Sequence, residues 1–476
     1  MITVHQIFES LPLLILACGY VLARLRDRKP GNHFPRGLAF GVVGTAIAAS
    51  LGEEAYEGAA AISAHAATTF SFATNGVPHY PMMFQFSGSV FFSTASLWVL
   101  MAGVFFCATS PLVRVRLSRV FLMQGILLGM IQTHSMPLFL GLAAVLILGL
   151  INSVRYHSKS LHDDDRGALR STAFTVYQSI GLLALGVSLG LRALEYFALV
   201  PCTSTLIGLD IACLCLAAGV IAGLFPFHGW VLPFLGSPRT SVFLPMICVQ
   251  LGVLFLLRIY APIASIPSKW EPLLLGSAVI GLLYAAVLFF AEQRLKRIPG
   301  YLYLSHISLM AMTIAGLGNV GVMSSMLDAV NVLLSILGLL GVCAVLTSRF
   351  GVRGVKAPTG LGTFFPELAV CYLVCVLSLV GFPGTLGFIE EEVMMGEGIG
   401  HHNILVAIFA VAVTLNGFSS FRLFARVFYG QTGMGRDPET ALLMRERLVI
   451  YGIVTLIVVN GFAPSYVVDL ITKLSS

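Results

Sequence analysis

Apolar runs recur along this chain, separated by short polar gaps. Most match the roughly 17 to 25 residues a helix needs to cross hydrocarbon. They fall near 7–24, 37–51, 87–108, 118–133, 136–153, 171–191, 204–224, 241–260, 272–291, 300–318, 323–346, 366–395, 403–424 and 446–465, the second being short. The pattern predicts an all-α membrane protein of fourteen transmembrane helices. The gaps carry a second pattern. Of the 28 Lys and Arg residues, 24 lie in alternate gaps: Arg24–Arg36, Arg114–Arg119, Arg155–Arg170, Arg239, Arg294–Arg297, Arg349–Lys356 and Arg422–Arg447. Arg192, Arg258, Lys269 and Lys473 are the exceptions. Basic residues beside membrane spans stay on the cytoplasmic side. The alternation therefore orients the chain in a cytoplasmic (inner) membrane with both termini outside.

Composition agrees. A chain that is 57% hydrophobic and 11% charged, with mean hydropathy +0.91, is excluded from the soluble globular class, where about a quarter of residues are charged. The net charge of +6 reads as a topology signal and not as nucleic-acid binding. Met1–Ser10 lacks the basic start of a secretory signal, and no cleavage site stands out after the first run. The longer polar segments, 52–86 outside and 155–170 and 425–445 inside, are too small to be catalytic domains. No Walker motif, glycine-rich dinucleotide fingerprint or Cys-x-x-Cys occurs. The expectation is thus no cofactor, no metal and no catalytic redox site in this chain, with any soluble chemistry left to partner subunits. Cys371 and Cys375 share a helix face and read as small packing residues rather than ligands. Asp163-Asp164-Asp165 reads as a solvated inside loop or a docking spot for a basic partner, and His401-His402 as exposed.

Two runs are interrupted. Leu224-Phe-Pro226-Phe-His228-Gly-Trp230 breaks the seventh, and Gly381-Phe-Pro383-Gly384-Thr-Leu-Gly387 breaks the twelfth. Their separation by five spans predicts two five-helix repeats, and an odd number of spans makes the repeats inverted. The domain reading is one membrane domain, 1–476: three N-terminal helices (1–116), the first repeat (117–260), the second repeat (272–424) and a last helix (446–465). Matching broken helices point to an ion path, because freed backbone groups can face a hydrated cavity. Simple kinks at Pro226, Pro383 and Gly384 are the competing reading.

These segments carry a resemblance. Phe225-Pro-Phe-His-Gly-Trp230 resembles the "PFHxWLP" signature of the antiporter-like subunits of respiratory complex I, Mrp-type sodium/proton antiporters and membrane-bound hydrogenases. Leu295-Lys-Arg-Ile-Pro-Gly-Tyr-Leu-Tyr-Leu-Ser-His306 is similar to their "DLKRLLAYSSISH". Gly381–Ile389, followed by Glu390, Glu391 and Glu392, is similar to their "GLPGTxxFxGEF" break. Arg426–Gly430 and Arg445-Glu-Arg447 resemble the "RAYFG" and "RE" around the last loop. The resemblance covers roughly 87–465. It implies a membrane subunit that works inside a hetero-oligomer and hands protons along buried lysines and a glutamate at mid-membrane. A Lys in hydrocarbon is switched between charged and neutral by a nearby carboxylate.

Carried over position by position, the resemblance implies a depleted first half. The key lysine, seven residues before the histidine of "PFH", falls on Ile221, and its glutamate partner falls on Ala143. The bridging position falls on Gln250. In the second half His306 matches the histidine of the tenth span, and Glu391 matches the acidic residue of the twelfth. An acidic charge at the bilayer centre costs roughly 2.5–3.5 kcal/mol, so Glu390–Glu392 must include a protonated, paired or water-facing group, unless the break lifts all three to the outer surface with Glu397. His228 is expected to hydrogen-bond the carbonyls freed at the first break. Asp210 and Asp328 are read as acids in the first turns of their helices, complementing the helix dipole, or else as proton exits. The proton-path candidates are therefore Glu391, His306, His228, Asp210, Asp328 and Gln250.

Three functions follow. The first is an antiporter-like subunit of a complex I/Mrp/hydrogenase-type assembly with a partial proton path. The second is a proton-inactive scaffold for partner subunits. The third rests on a resemblance to the membrane subunit of DAB-type inorganic-carbon transporters, which pair with a zinc carbonic-anhydrase-like protein.

Overall fold

The computed structural model describes residues 15–18, 20–21, 117–133, 135–160, 165–196, 204–236, 243–261, 271–349, 360–399, 402–430 and 444–462. The predicted spans at 37–51 and 87–108, most of the one at 7–24, and the 52–86 segment lie outside the described residues, as do Asp163, Asp164 and His401. Among the described residues, eight helices are long and apolar enough to cross a membrane, and three shorter apolar helices accompany them. The chain divides into two compact units, residues 1–161, 178–217 and 468–476 in one, and residues 162–177 and 218–467 in the other.

The first unit contains α1 (Leu117–Gln132) and α2 (Met136–Ser160), which pack on each other. It also holds the greater part of α3 (Asp165–Tyr196) and of α4 (Ser204–Ala222). Val145, Leu148, Leu183 and Val187 stand exposed. An apolar outward surface is the one a bilayer requires.

The second unit is built around one long, twice-used element. It contains α5 (Val231–Leu235), α6 (Phe243–Phe255, continued by a wide turn Leu256–Tyr260), α7 (Glu271–Ala291) and α8 (Ile298–Arg349). It continues through α9 (Pro366–Leu379), α10 (Leu386–Gly398), α11 (Asn403–Phe428) and α12 (Met444–Phe462). α8 is two spans joined at a sharp kink, where Gly318 takes φ +57° and ψ −130°. A side chain at such a backbone conformation is strongly disfavoured, so the glycine that ends predicted span 300–318 lets the chain turn back at once into 323–346. Both arms of α8 are buried, and α6, α7, α9, α10, α11 and α12 all pack on them. Helices α7 and α11 are mostly exposed and present Leu273, Ile280, Ile404, Val411 and Phe418 outward. The core of this unit is therefore a pair of central spans on which the other helices pack, and buried polar side chains such as His306, Asp328 and Asn331 lie on them.

Basic residues gather at one end. Arg297 pairs with Glu292 at 3.2 Å, and Arg422 lies over the Phe290 ring at 5.0 Å while donating to the Phe290 carbonyl. Arg447 meets Glu367 at 3.4 Å. These are residues of the basic gaps, placed at helix ends where long side chains reach the interface while their stems cover apolar surface.

Candidate functional site

At the first break, α4 ends in Gly223 (φ +78°) and the chain passes through a cis Phe225–Pro226 bond into a single turn, His228–Trp230. The carbonyls released there are occupied. Trp230 Nε1 donates to Val220 O at 2.9 Å, and the Tyr303 hydroxyl donates to Ala222 O at 2.9 Å. Phe174 and Phe234 stack on each other and flank Trp230. The expectation that His228 serves these carbonyls is corrected: an indole and a phenol reach them first. The half-buried His228 ring instead stacks on Phe225 and lies against Tyr284. Its buried Nδ1 has no hydrogen-bond partner among the described residues. Ile221 and Ala143, where the resemblance sets the proton-carrying pair, are buried apolar side chains, and Gln250 is buried on α6.

The second break is differently furnished. α9 stops at Leu379, the chain turns through Gly381 (φ +67°) and Gly384 (φ +87°), and α10 begins at Leu386. His306 Nε2 lies 2.9 Å from the freed Leu379 carbonyl. Its Nδ1 lies 3.0 and 3.2 Å from the two carboxylate oxygens of Asp328. Next to it, Asn331 Nδ2 donates to Ser378 O at 3.1 Å, while Asn331 Oδ1 accepts from Ser378 Oγ at 2.6 Å and Ser335 Oγ at 3.2 Å. His306, Asp328, Asn331, Ser335 and Ser378 are all buried.

The chemistry follows from valence. A carbonyl only accepts, so Nε2 carries a hydrogen toward Leu379. Nδ1 faces a carboxyl group, so one further proton lies between the ring and Asp328, on one atom or the other. The imidazole is thus poised between a backbone acceptor made available by the helix break and a carboxyl group on the neighbouring span.

The glutamate triplet separates as helical geometry demands, three successive side chains pointing about 100° apart. Glu390 is 2% exposed, and its backbone carbonyl accepts from Ser324 Oγ, one turn before Asp328 on α8. Glu391 is half-buried against Gly381, near enough for its charge to act on His306 and Asp328. Glu392 is exposed. The motif points to Glu391, and the structure sets Glu390 deeper.

Asp328 and Asp210 are not first-turn acids. Asp328 lies well inside the second arm of α8, and the first turn of α4 contains no acidic residue. Asp210 is fully buried in the first unit, where Arg192 Nη2 donates to Oδ2 at 2.8 Å and Ser188 Oγ to Oδ1 at 2.5 Å. Cys371 and Cys375 are fully buried against Gly338, which accords with packing. Among the described residues no group of three or more His, Cys, Asp and Glu side chains is arranged to hold a metal ion. Sequence reading also passed over Asn416 on α11, whose Nδ2 donates to Ser305 Oγ at 2.7 Å beside His306. A lone amide in an apolar run was the available signal.

Comparison with known proteins gives the frame for this site. Residues 168–416, more than half of the chain, match the family described as NADH:quinone oxidoreductase/Mrp antiporter, TM. The chain belongs to that family, and it is a multi-pass integral membrane protein. It is 26% identical over 258 residues to NADH-quinone oxidoreductase subunit M of Mycobacterium tuberculosis, covering 54% of this chain and 47% of that one. It is 24% identical over 249 residues to subunit M of Escherichia coli, covering 51% and 49%. The chain spans about half the length of these curated relatives. In fold it is similar to a chain of respiratory complex I from Thermus thermophilus, with TM-score 0.76, 20% identity, and coverage of 98% of this chain and 100% of that one. It is also similar to a chain of the Mrp complex from Dietzia, with TM-score 0.75, 16% identity, and coverage of 98% and 96%. The inorganic-carbon reading finds no support among these relatives.

Proposed function

We propose that this chain is an antiporter-like membrane subunit of a multi-subunit complex I/Mrp/hydrogenase-type assembly, and that protons pass through its second half alone. The observation that carries the reading is the His306 ring held between the freed Leu379 carbonyl and Asp328. Such a ring exchanges a proton with the carboxyl by a shift of about an ångström, and the broken helix gives water a route to it. Glu391, at the mouth of the same break, is the next acceptor. Ile221 and Ala143 offer no titrating group, so the first half serves as support. The names and titles of the relatives and fold neighbours are those of subunits and of complexes, which favours partner subunits that hold the redox chemistry. The distribution of basic residues supports an inner-membrane setting with both termini outside, and the two breaks support inverted repeats over 117–260 and 272–424.

Proton flux into proteoliposomes containing the purified complex tests this. Native complex is expected to conduct, and His306→Ala and Glu391→Gln are expected to reduce flux by about tenfold or more while the complex still assembles. Equal flux in native and variant complexes sinks the reading and leaves a scaffold.

A further inference from the structure

We infer that Glu390 and Asp328 form a carboxyl pair that shares one proton, and that this pair, not a lysine, is the charge store at the twelfth-span break. The role in transport rests on the reading above, whereas the pair itself does not.

Placement comes first. Glu390 lies in the second turn of α10, and Ser324 Oγ on α8 donates to its backbone carbonyl at 3.4 Å. α10 is held further by Gly387, where an added Cβ would stand 2.8 Å from Asn331 Nδ2. Ser324 and Asn331 lie about one turn on either side of Asp328, so these contacts set the buried Glu390 side chain against the α8 face that bears the Asp328 carboxyl. The resembling "GLPGTxxFxGEF" segment has a glycine at this position, so the carboxyl is a feature of this chain's own sequence.

Valence then fixes the proton count. A carboxylate only accepts, so two carboxyl groups in hydrogen-bond contact require a proton on one of them. Two charged carboxylates side by side in a buried site repel strongly, and sharing one proton is the usual resolution. Asn331 completes the cradle. Its oxygen accepts from Ser378 and Ser335, and one amide hydrogen goes to the Ser378 carbonyl. These bonds leave one amide hydrogen of Asn331 over. With a doubly protonated His306 beside a singly protonated Asp328–Glu390 pair, the three groups sum to zero charge. A neutral set is the inexpensive state in hydrocarbon.

The other titratable group whose charge reaches His306 and Asp328 is Glu391. A proton leaving His306 Nδ1 for Asp328 releases the shared proton to Glu390, and from there to Glu391 at the break. No bond other than O–H and N–H changes.

Infrared difference spectroscopy of the purified complex reads the pair directly, through the carbonyl stretch of a protonated carboxyl that shifts in D2O. The expected result is a band present in native complex, lost in both Glu390→Gln and Asp328→Asn, and kept in Glu391→Gln. Glu390→Asp, which restores a carboxyl, guards against a merely misfolded variant and is expected to regain the band. Absence of the band from native complex, or its persistence in Glu390→Gln, overturns the pair. Proteoliposome flux is read separately. Loss of flux by about tenfold in Glu390→Gln supports the relay, and native flux in that variant overturns it. A native complex without flux overturns the proposed function, while the infrared band still decides the pair.

Discussion

Asp210 uses both carboxylate oxygens on α3, one for Arg192 and one for Ser188, in a site closed to solvent. Removing one partner of a buried ion pair leaves the other charge uncompensated, which costs on the order of 3–5 kcal/mol. Asp210→Ala is therefore expected to lower the thermal unfolding midpoint of the detergent-solubilised complex sharply. The double change Asp210→Leu with Arg192→Met is expected to recover most of the loss, because no charge is left stranded. Equal midpoints in native and single-variant complexes would show that the pair contributes nothing. From sequence, Asp210 and Asp328 looked alike: acids near the starts of apolar runs. Their partners, Arg192 and His306, lie 18 and 22 residues upstream, on the preceding span in each case. Contact across adjacent helices depends on the tightness of the intervening turn, which periodicity does not reveal. His306 and Glu391 were legible because a motif carries them. Glu390 was not, because a 100° step around a helix decides which of three adjacent carboxyls turns inward, and that depends on where α10 restarts after the break.

The restart is an element-scale property, and Gly381 is its hinge. Its φ of +67° lies in the left-handed region, and a Cβ there would run into the Glu391 carboxylate. Gly381→Ala combines a strained backbone, worth about 1–2 kcal/mol, with displacement of the side chain proposed to accept the proton. Flux is expected to fall with little loss of assembled complex, and native flux in Gly381→Ala would detach Glu391 from the break. The second α8 arm offers no such hinge near Asp328, so a glycine-to-alanine change at Gly318, near the end of the bundle, is a stability control. The breaks themselves were plain in the sequence, since Pro and Gly interrupt an apolar run in a way nothing else does. Several helix limits followed closely as well, among them those of α4, α7 and α12, whereas the short α5 was not anticipated. What the sequence understated was how the freed carbonyls would be used: by Trp230 and Tyr303 at the first break, by His306 at the second. Only the second gives the released backbone an imidazole as its partner.

At the scale of the whole chain, charge placement supports the proposed orientation, and the exceptions to the pattern are consistent with it. Arg192 and Arg258 break the alternation, yet both are buried, and Arg192 is bound to Asp210. A neutralised, internal arginine exerts no pull on topology, since the rule concerns basic residues exposed beside the spans. Discounting them leaves Lys269 and Lys473 against 24 basic residues in the alternate gaps. The orientation then predicts the fate of reporters fused after truncation. Alkaline phosphatase, which folds only after export, is expected to be active at residue 198 and inactive at 160 and 435. A fluorescent protein that matures only in the cytoplasm is expected to show the reverse. Matching activity at 160 and 198 would mean that α3 does not cross, and a full inversion would place the termini inside. The same fusions therefore establish on which side of the membrane the loops flanking α3 lie, before any flux is measured.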